Sequence, residues 1–178
     1  MNHIERIAIV CALLIPAVGF ADKDNSNAER PKKVHFKLDL NPSNPDLSDL
    51  DQAHGKLKFR FKPKKNKTEL EAKISIPLPA SELGINSQEE ALNADLRIEF
   101  LRDGSPIAEC NLEPKNQDQD DDEAKFKLKV KTIKHGQETK QRHGNCFNGV
   151  PALKKGDQAV AYALVAGNRI DFLESDQD

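Results

Sequence analysis

Basic residues at alternate positions are the feature of this sequence that most clearly points to chemistry. They alternate with apolar residues in two stretches, which contain Lys56, Lys58, Arg60 and Lys62, and then Lys125, Lys127, Lys129 and Lys131. Side chains at alternate positions of a β-strand point to one face. If both strands belong to one sheet, they form an anion-binding surface, suited to an acidic polysaccharide, to lipid head groups or to nucleic acid.

The charge of the whole chain supports a second interpretation of these lysines. The formal net charge is -2 at pH 7, and acidic stretches at 116–123 and 171–178 can neutralise a basic surface within the same molecule. Lysine on exposed strands is also a common protection against edge-to-edge aggregation. The pattern therefore predicts either an anion-binding face or a merely solubilising one, and the sequence leaves both open.

The cysteines predict one disulfide bond. Cys11 lies within an apolar stretch near the start of the chain, so that Cys110 and Cys146 remain as a pair. An even number of cysteines in an exported domain favours a disulfide over free thiols. The loop that this bond would close is worth about 3.8 kcal/mol in the chain-entropy model.

Metal binding and catalysis have weaker signals. Asp118, Asp120 and Asp122 have the spacing of the first calcium ligands of an EF-hand, but the glycine and the glutamate that should follow are missing. This spacing allows at most a weak calcium site, and His135 with His143 allows at most a copper or zinc site. Neither Gly-x-Ser-x-Gly nor Ser-x-x-Lys occurs. We therefore assign no catalytic, metal or cofactor-binding residue and expect no cofactor.

The start of the chain resembles an export signal. Residues 7–20 are uncharged and mostly apolar, and the stretch is too short for a membrane span but suits the core of a signal peptide. Small residues at Gly19 and Ala21 predict cleavage after Ala21. The predicted organisation is a signal peptide at 1–21, a mobile polar leader at 22–33, a β-domain at 34–174 and a C-terminal tail at 175–178. The mature protein is then secreted or periplasmic and keeps no membrane span.

The remaining pattern predicts an all-β fold. Period-two alternation recurs in short stretches that are separated by turn-forming residues. We expect a two-sheet antiparallel sandwich, Greek-key and Ig-like, with one disulfide. One short helix is expected after Ser87, because the spacing to Glu90 is that of a capping box.

Two hairpin registers follow from matching apolar and charged residues. In the first, Phe61 faces Leu70. In the second, a three-residue loop at 102–104 places Ile98 opposite Ala108.

These features together predict an exported, non-catalytic β-sandwich that binds an anionic polymer or a partner protein. One alternative is a small secreted hydrolase or metal-dependent enzyme. Another is a structural or adhesive module.

The export signal can be tested directly. We expect N-terminal sequencing of the naturally exported protein to begin at Asp22, because signal peptidase requires the small residues that precede this position. A mature protein that still contains residues 7–20 would contradict the prediction.

Overall fold

The alternating stretches of the sequence form the β-strands of the computed structural model, which describes residues 32–115, 122–133 and 138–175. The predicted signal peptide, residues 22–31 of the leader and residues 176–178 of the tail lie outside the described residues. Within these ranges the strands are β1 Val34–Pro42, β2 His54–Lys62, β3 Lys67–Pro77, β4 Leu96–Arg102, β5 Ser105–Asn111, β6 Glu113–Pro114, β7 Glu123–Ile133, β8 Glu138–His143, β9 Asn145–Cys146, β10 Gln158–Val165 and β11 Asn168–Ser175. A short helix, α1, covers Gln88–Ala91.

All of these strands belong to one curled antiparallel sheet. The order across the sheet is β6-β7-β3-β2-β1-β11-β10-β4-β5-β9, and β8 also pairs with β7. The all-β class, the antiparallel pairing and the disulfide are confirmed. The two-sheet, Ig-like arrangement is not, because the sheet is a half-barrel. The strands form a single sheet because β1 pairs with β2 along most of its length and with β11 at its end. It thereby joins the strands from β6 to β2 to the strands from β11 to β9 in the order given above.

The inner face of the half-barrel carries the hydrophobic core. Phe59, Phe100, Phe126 and Phe172 are its largest fully buried side chains. Loop residues such as Leu83 complete this core. Burial of one such side chain stabilises the fold by about 1.5–3 kcal/mol, so that the apolar positions of each strand are held on the inner face and the charged positions on the outer face.

Helix α1 has the cap that the sequence predicts. The Ser87 hydroxyl oxygen accepts a hydrogen bond of 3.3 Å from the backbone N–H of Glu90. This satisfies one of the N–H groups that have no partner within the helix.

The β2–β3 hairpin has the predicted faces but a different register. Phe59, and not Phe61, lies opposite Leu70. The loop contains only Pro63–Asn66, because Asn66 adopts a left-handed conformation (φ 39°) and its N–H bonds to the carbonyl oxygen of Pro63 at 3.0 Å. A shift of two residues leaves every side chain on its predicted face but gives it a new neighbour.

The predicted β4–β5 register is also wrong. The turn contains two residues, Asp103 and Gly104, with φ values of 51° and 75°. Both residues of such a turn need positive φ, which glycine adopts without strain. A bulge next to Phe100 then shifts the pairing, so that Ile98 lies opposite Cys110 and not opposite Ala108.

The two ends of the sheet are held together near the disulfide. Cys110 of β5 and Cys146 of β9 are direct partners in the ladder, and both are buried. Only Leu112 separates β5 from β6, which pairs with β7 at the other end of the strand order. One short segment of chain therefore contacts both ends of the half-barrel.

Gly144 allows this close approach. It has a φ of 62°, and a β-carbon at this position would overlap the carbonyl oxygen of Asn111 and contact Leu128. Only glycine fits between the β5 and β7 strands at this point.

Two glycine substitutions can test the importance of this contact. Gly144→Ala and Gly156→Ala both place a side chain at positive φ, which costs about 1–2 kcal/mol. Gly156 has open space around it, so it is the matched control. We expect Gly144→Ala to cost a further 1–3 kcal/mol or so, because backbone must move. Urea unfolding of both variants measures the difference, and equal losses would show that the close approach is unimportant.

Candidate anion-binding face

The two predicted basic clusters lie on strands that share a neighbour. Strand β3 pairs with β2 on one side and with β7 on the other. Leu57, Ala72 and Leu128 are aligned across the three strands and are all buried. The residues between them therefore point outward, and the clusters on β2 and β7 belong to one surface.

We call this surface the basic face, defined as the outward side chains of β1, β2, β3 and β7. Its eleven basic residues are Lys37, Lys56, Lys58, Arg60, Lys62, Lys67, Lys73, Lys125, Lys127, Lys129 and Lys131. Its four acidic residues are Asp39, Glu69, Glu71 and Glu123. The excess of seven positive charges contrasts with the other described residues, of which 16 are acidic and 12 are basic.

A row of three lysines crosses the basic face. Lys56 lies opposite Lys73, and Lys73 lies opposite Lys127. Among the described residues, none of the three forms an ion pair within 4.0 Å. Like charges directly opposite each other on neighbouring strands are destabilising. This row therefore carries an electrostatic cost that a bound anion would remove.

The three lysines of this row line a shallow groove of about 470 Å³. Its lining includes Ile74, Ser75 and Phe126 together with one histidine and five lysines, which are His54, Lys56, Lys73, Lys115, Lys125 and Lys127. The carboxylate of Glu123 also lines it, but this group accepts a hydrogen bond of 2.7 Å from the Ser75 hydroxyl and lies 3.7 Å from Lys125 Nζ. The acidic side chain of the groove is thus already engaged within the protein.

Glutamates of β3 lie in the middle of the basic face. Glu71 lies between Lys58 and Lys129, and its carboxylate is 3.7 Å from Lys129 Nζ. Glu69 occupies the equivalent position between Arg60 and Lys131. Acidic residues also lie at both ends of the row of three lysines, because Asp39 is opposite Lys56 and Glu113 is opposite Lys127. Within the row, only Lys73 has a lysine opposite it on both sides.

Lys73 was not among the predicted site residues. This residue lies on β3, where glutamates alternate with it, so that the stretch has no basic pattern of its own. Its importance comes from the register, which places it between lysines of two other strands. The correct register of the β2–β3 hairpin would have revealed it.

The outward charges of β4, β5, β10 and β11 are arranged differently. Arg97 contacts Asp95 and Glu109 at 2.9 and 2.7 Å. Arg169 contacts Glu99 and Asp171 at 2.9 and 2.6 Å. In contrast to Lys56, Lys73 and Lys127, these arginines are held in ion pairs within the described part of the chain.

Tyr162 lies within this paired network and is nearly buried. The guanidinium carbon of Arg169 is 4.1 Å from the centre of its ring. Burial and a hydrogen bond to the Glu109 carboxylate raise the pKa of the Tyr162 phenol. The network therefore stabilises its own charges and offers little to a ligand.

The weaker predicted sites fall largely on residues that the structure does not describe. Asp118, Asp120 and His135 lie outside the described residues. His143 Nδ1 is 3.7 Å from a carboxylate oxygen of Glu113. In the described part of the chain, no three histidine, cysteine or acidic side chains are grouped as metal ligands. No helix in the same ranges has the length and hydrophobicity to span a membrane.

Comparison with known proteins adds no assignment. No protein-family model, curated protein or solved structure matches this chain. The fold and the site define the protein as a curled antiparallel half-barrel with one disulfide and a basic outer face. Because one fold can serve many functions, function has to be argued from the site.

Tyr162 is the only tyrosine of the chain, so its ionisation can be followed by phenolate absorbance. We expect the native protein to titrate above the ordinary tyrosine value, because ionisation would place a second negative charge beside Glu109. Glu109→Gln should lower the pKa of Tyr162 towards that value. The control is protein unfolded in denaturant, for which the variant and the wild type should agree near about 10. A native pKa unchanged by the substitution would contradict this account.

Proposed function

We propose that this protein is a non-catalytic binding module that holds an anionic ligand on its basic face. The observation that carries the proposal is the row Lys56, Lys73 and Lys127, in which Lys73 has a lysine opposite it on both sides. Among the described residues, none of the three forms an ion pair within 4.0 Å, although Asp39 and Glu113 lie at the two ends of the row. Neighbouring strands are about 4.8 Å apart. This spacing is below the screening length of about 8 Å in physiological salt, so the lysines repel one another and attract an anion.

The contrast between the two parts of the sheet supports this function. A solubilising surface needs charges of either sign, and the outward face around Arg97 and Arg169 meets that need with ion pairs. The basic face instead places lysines opposite lysines. A ligand that supplies the missing negative charges accounts for this arrangement better than solubility does.

We also propose that the module acts outside the cytoplasm, in the secreted or periplasmic space. The apolar stretch at residues 7–20 has the length of a signal-peptide core. The buried disulfide between Cys110 and Cys146 is typical of oxidising compartments. Anionic polymers of the cell envelope or the extracellular matrix are ligands of the expected charge.

Heparin is a suitable probe for this face. We expect the wild type to bind it in low salt and the double variant Lys56→Gln/Lys73→Gln to bind much more weakly. Each lysine that contacts an anionic group contributes about one to the slope of log affinity against log salt, so the slope should fall by about two. Isothermal titration at several salt concentrations measures both quantities.

Lys154→Gln/Lys155→Gln is the matched control, because it removes the same charge from an exposed loop away from the basic face. This control should bind heparin nearly as the wild type does. Both double variants should remain folded, and the first should unfold no more easily than the wild type because a like-charge contact is lost. Failure of the wild type to bind would reject the function, and equal loss in both variants would reject the site.

A further inference from the structure

Two neighbouring rows of side chains line the groove of the basic face. The first is the row of three lysines described above. The second lies two residues away on each strand, because His54 is opposite Ser75 and Ser75 is opposite Lys125. The backbone N–H of Lys115 donates to the carbonyl oxygen of Lys125 at 2.8 Å, so that Lys115 extends the second row. All seven residues of the two rows line the groove.

Carboxylates are scarce in the groove itself. Asp39 and Glu113 lie at the two ends of the row of three lysines, but neither of them lines the groove. Among the described acidic residues only Glu123 does so, and its carboxylate accepts a hydrogen bond of 2.7 Å from the Ser75 hydroxyl. Five lysines and one carboxylate leave the lining with an excess of four positive charges.

The groove offers charge more than directed hydrogen bonds. The Ser75 hydroxyl already donates to Glu123. The lysines are flexible point charges, and they lack the planar fork by which arginine binds a carboxylate or a phosphate through two parallel hydrogen bonds. Such a site distinguishes anions mainly by their charge, because the Coulomb energy is proportional to it, and a dianion is attracted about twice as strongly as a monoanion.

The anionic groups of biological molecules differ in this charge. A phosphate monoester carries about −1.5 to −2 at pH 7, because its second pKa is about 6. A carboxylate, a sulfate ester and a phosphate diester each carry a single negative charge. Lys73 has a lysine opposite it on both sides, so a group with two charges above it relieves more of the repulsion in the row than a group with one.

We propose that the groove binds a terminal phosphate monoester, centred on Lys73 and held by the lysines of both rows. The inference rests on the proposed function, and it adds the anionic group that is preferred and its place on the basic face. The phosphate group can belong to a soluble phosphorylated molecule or to the head group of a phosphorylated lipid. Both sources present the same dianion to the lysines.

Phenyl phosphate and phenyl sulfate test this preference, because they share a ring and differ mainly in charge. We expect the wild type to bind phenyl phosphate about fivefold or more tightly than phenyl sulfate in physiological salt, at a pH of about 7.5 where the phosphate ester is a dianion. Titration followed by two-dimensional NMR of the backbone amides measures both affinities. The signals that shift should be those of residues 54–56, 73–75 and 125–127.

Two lysine variants locate the site within the basic face. Lys73→Gln should weaken the binding of phenyl phosphate about threefold or more and reduce the preference over phenyl sulfate. Lys58→Gln is the matched control, because Lys58 lies on the same face but lines a different groove, together with Asp39 and Glu71. It should have a much smaller effect, since salt screens charges over about 8 Å. Equal losses in the two folded variants would overturn the assignment to this groove.

Removal of the groove's carboxylate should strengthen binding. Glu123→Gln keeps an oxygen that can accept the hydrogen bond from Ser75, and we expect it to bind phenyl phosphate about two- to fivefold more tightly than the wild type. Asp103→Asn is the control, because it removes the same charge from the β4–β5 turn and asparagine tolerates the positive φ of this position. An equal gain in both variants, or a gain in neither, would contradict the proposal. Circular dichroism checks that each variant is folded.

Vesicles distinguish the two sources of the phosphate group. Phosphatidic acid presents a phosphate monoester, whereas phosphatidylglycerol presents a diester at the same lipid density. Preferential binding to vesicles with phosphatidic acid would assign the site to a lipid, and a preference for phenyl phosphate without it would assign the site to a soluble ligand.

The outcomes also separate this inference from the proposed function. Equal affinity for phenyl phosphate and phenyl sulfate, in a protein that binds heparin, would overturn the phosphate monoester and leave an anion-binding module. Absence of binding to heparin and to both phenyl esters would overturn the proposed function itself.

Discussion

A curled sheet is stable only if its free ends are held, and this requirement shapes much of the protein. The chain meets it in one small region. Strand β5 continues past Leu112 into β6 and so pairs with both ends of the strand order. The disulfide from Cys110 to Cys146 fixes β9 to β5 at the same place, and Gly144 lets the backbones approach. With the ends held, the inner face closes over its aromatic core and the outer face has a fixed register.

That register determines the electrostatics of the outer face. Arginine pairs with carboxylates where β4, β5, β10 and β11 meet, as Arg97 and Arg169 show. Where β2, β3 and β7 meet, glutamates of β3 face basic residues at two positions, but Lys73 faces a lysine on both sides. A displacement of β3 by two residues would place Glu71 where Lys73 now lies and would remove the row of three lysines. The basic face therefore depends on pairings that are specified far from it, in the turns and in the core.

The sequence predicts the faces of the strands better than their neighbours. Alternation alone places Phe59 and Phe126 inside and the lysines outside, because a half-buried strand has a period of two. The registers depend on turn conformations, and the left-handed Asn66 and the bulge beside Phe100 leave no clear signal in the sequence. The half-barrel itself depends on the long-range pairing of β1 with β11, which no local pattern predicts. Lys73 was not predicted as a site residue because its lysine neighbours are set by the registers of β3 with β2 and β7.

The separation of charge also affects the protein at long range. The basic face has seven more basic than acidic residues, whereas the whole chain has a net charge of -2, so the rest of the molecule has nine more acidic than basic residues. Among the described residues outside this face, 16 are acidic and 12 are basic, so charge is unevenly distributed over the described part of the protein. The protein will orient in the field of a charged surface before contact, and it can adsorb to a negatively charged resin even above its isoelectric point of about 6.2. Its isoelectric point alone would suggest the opposite behaviour.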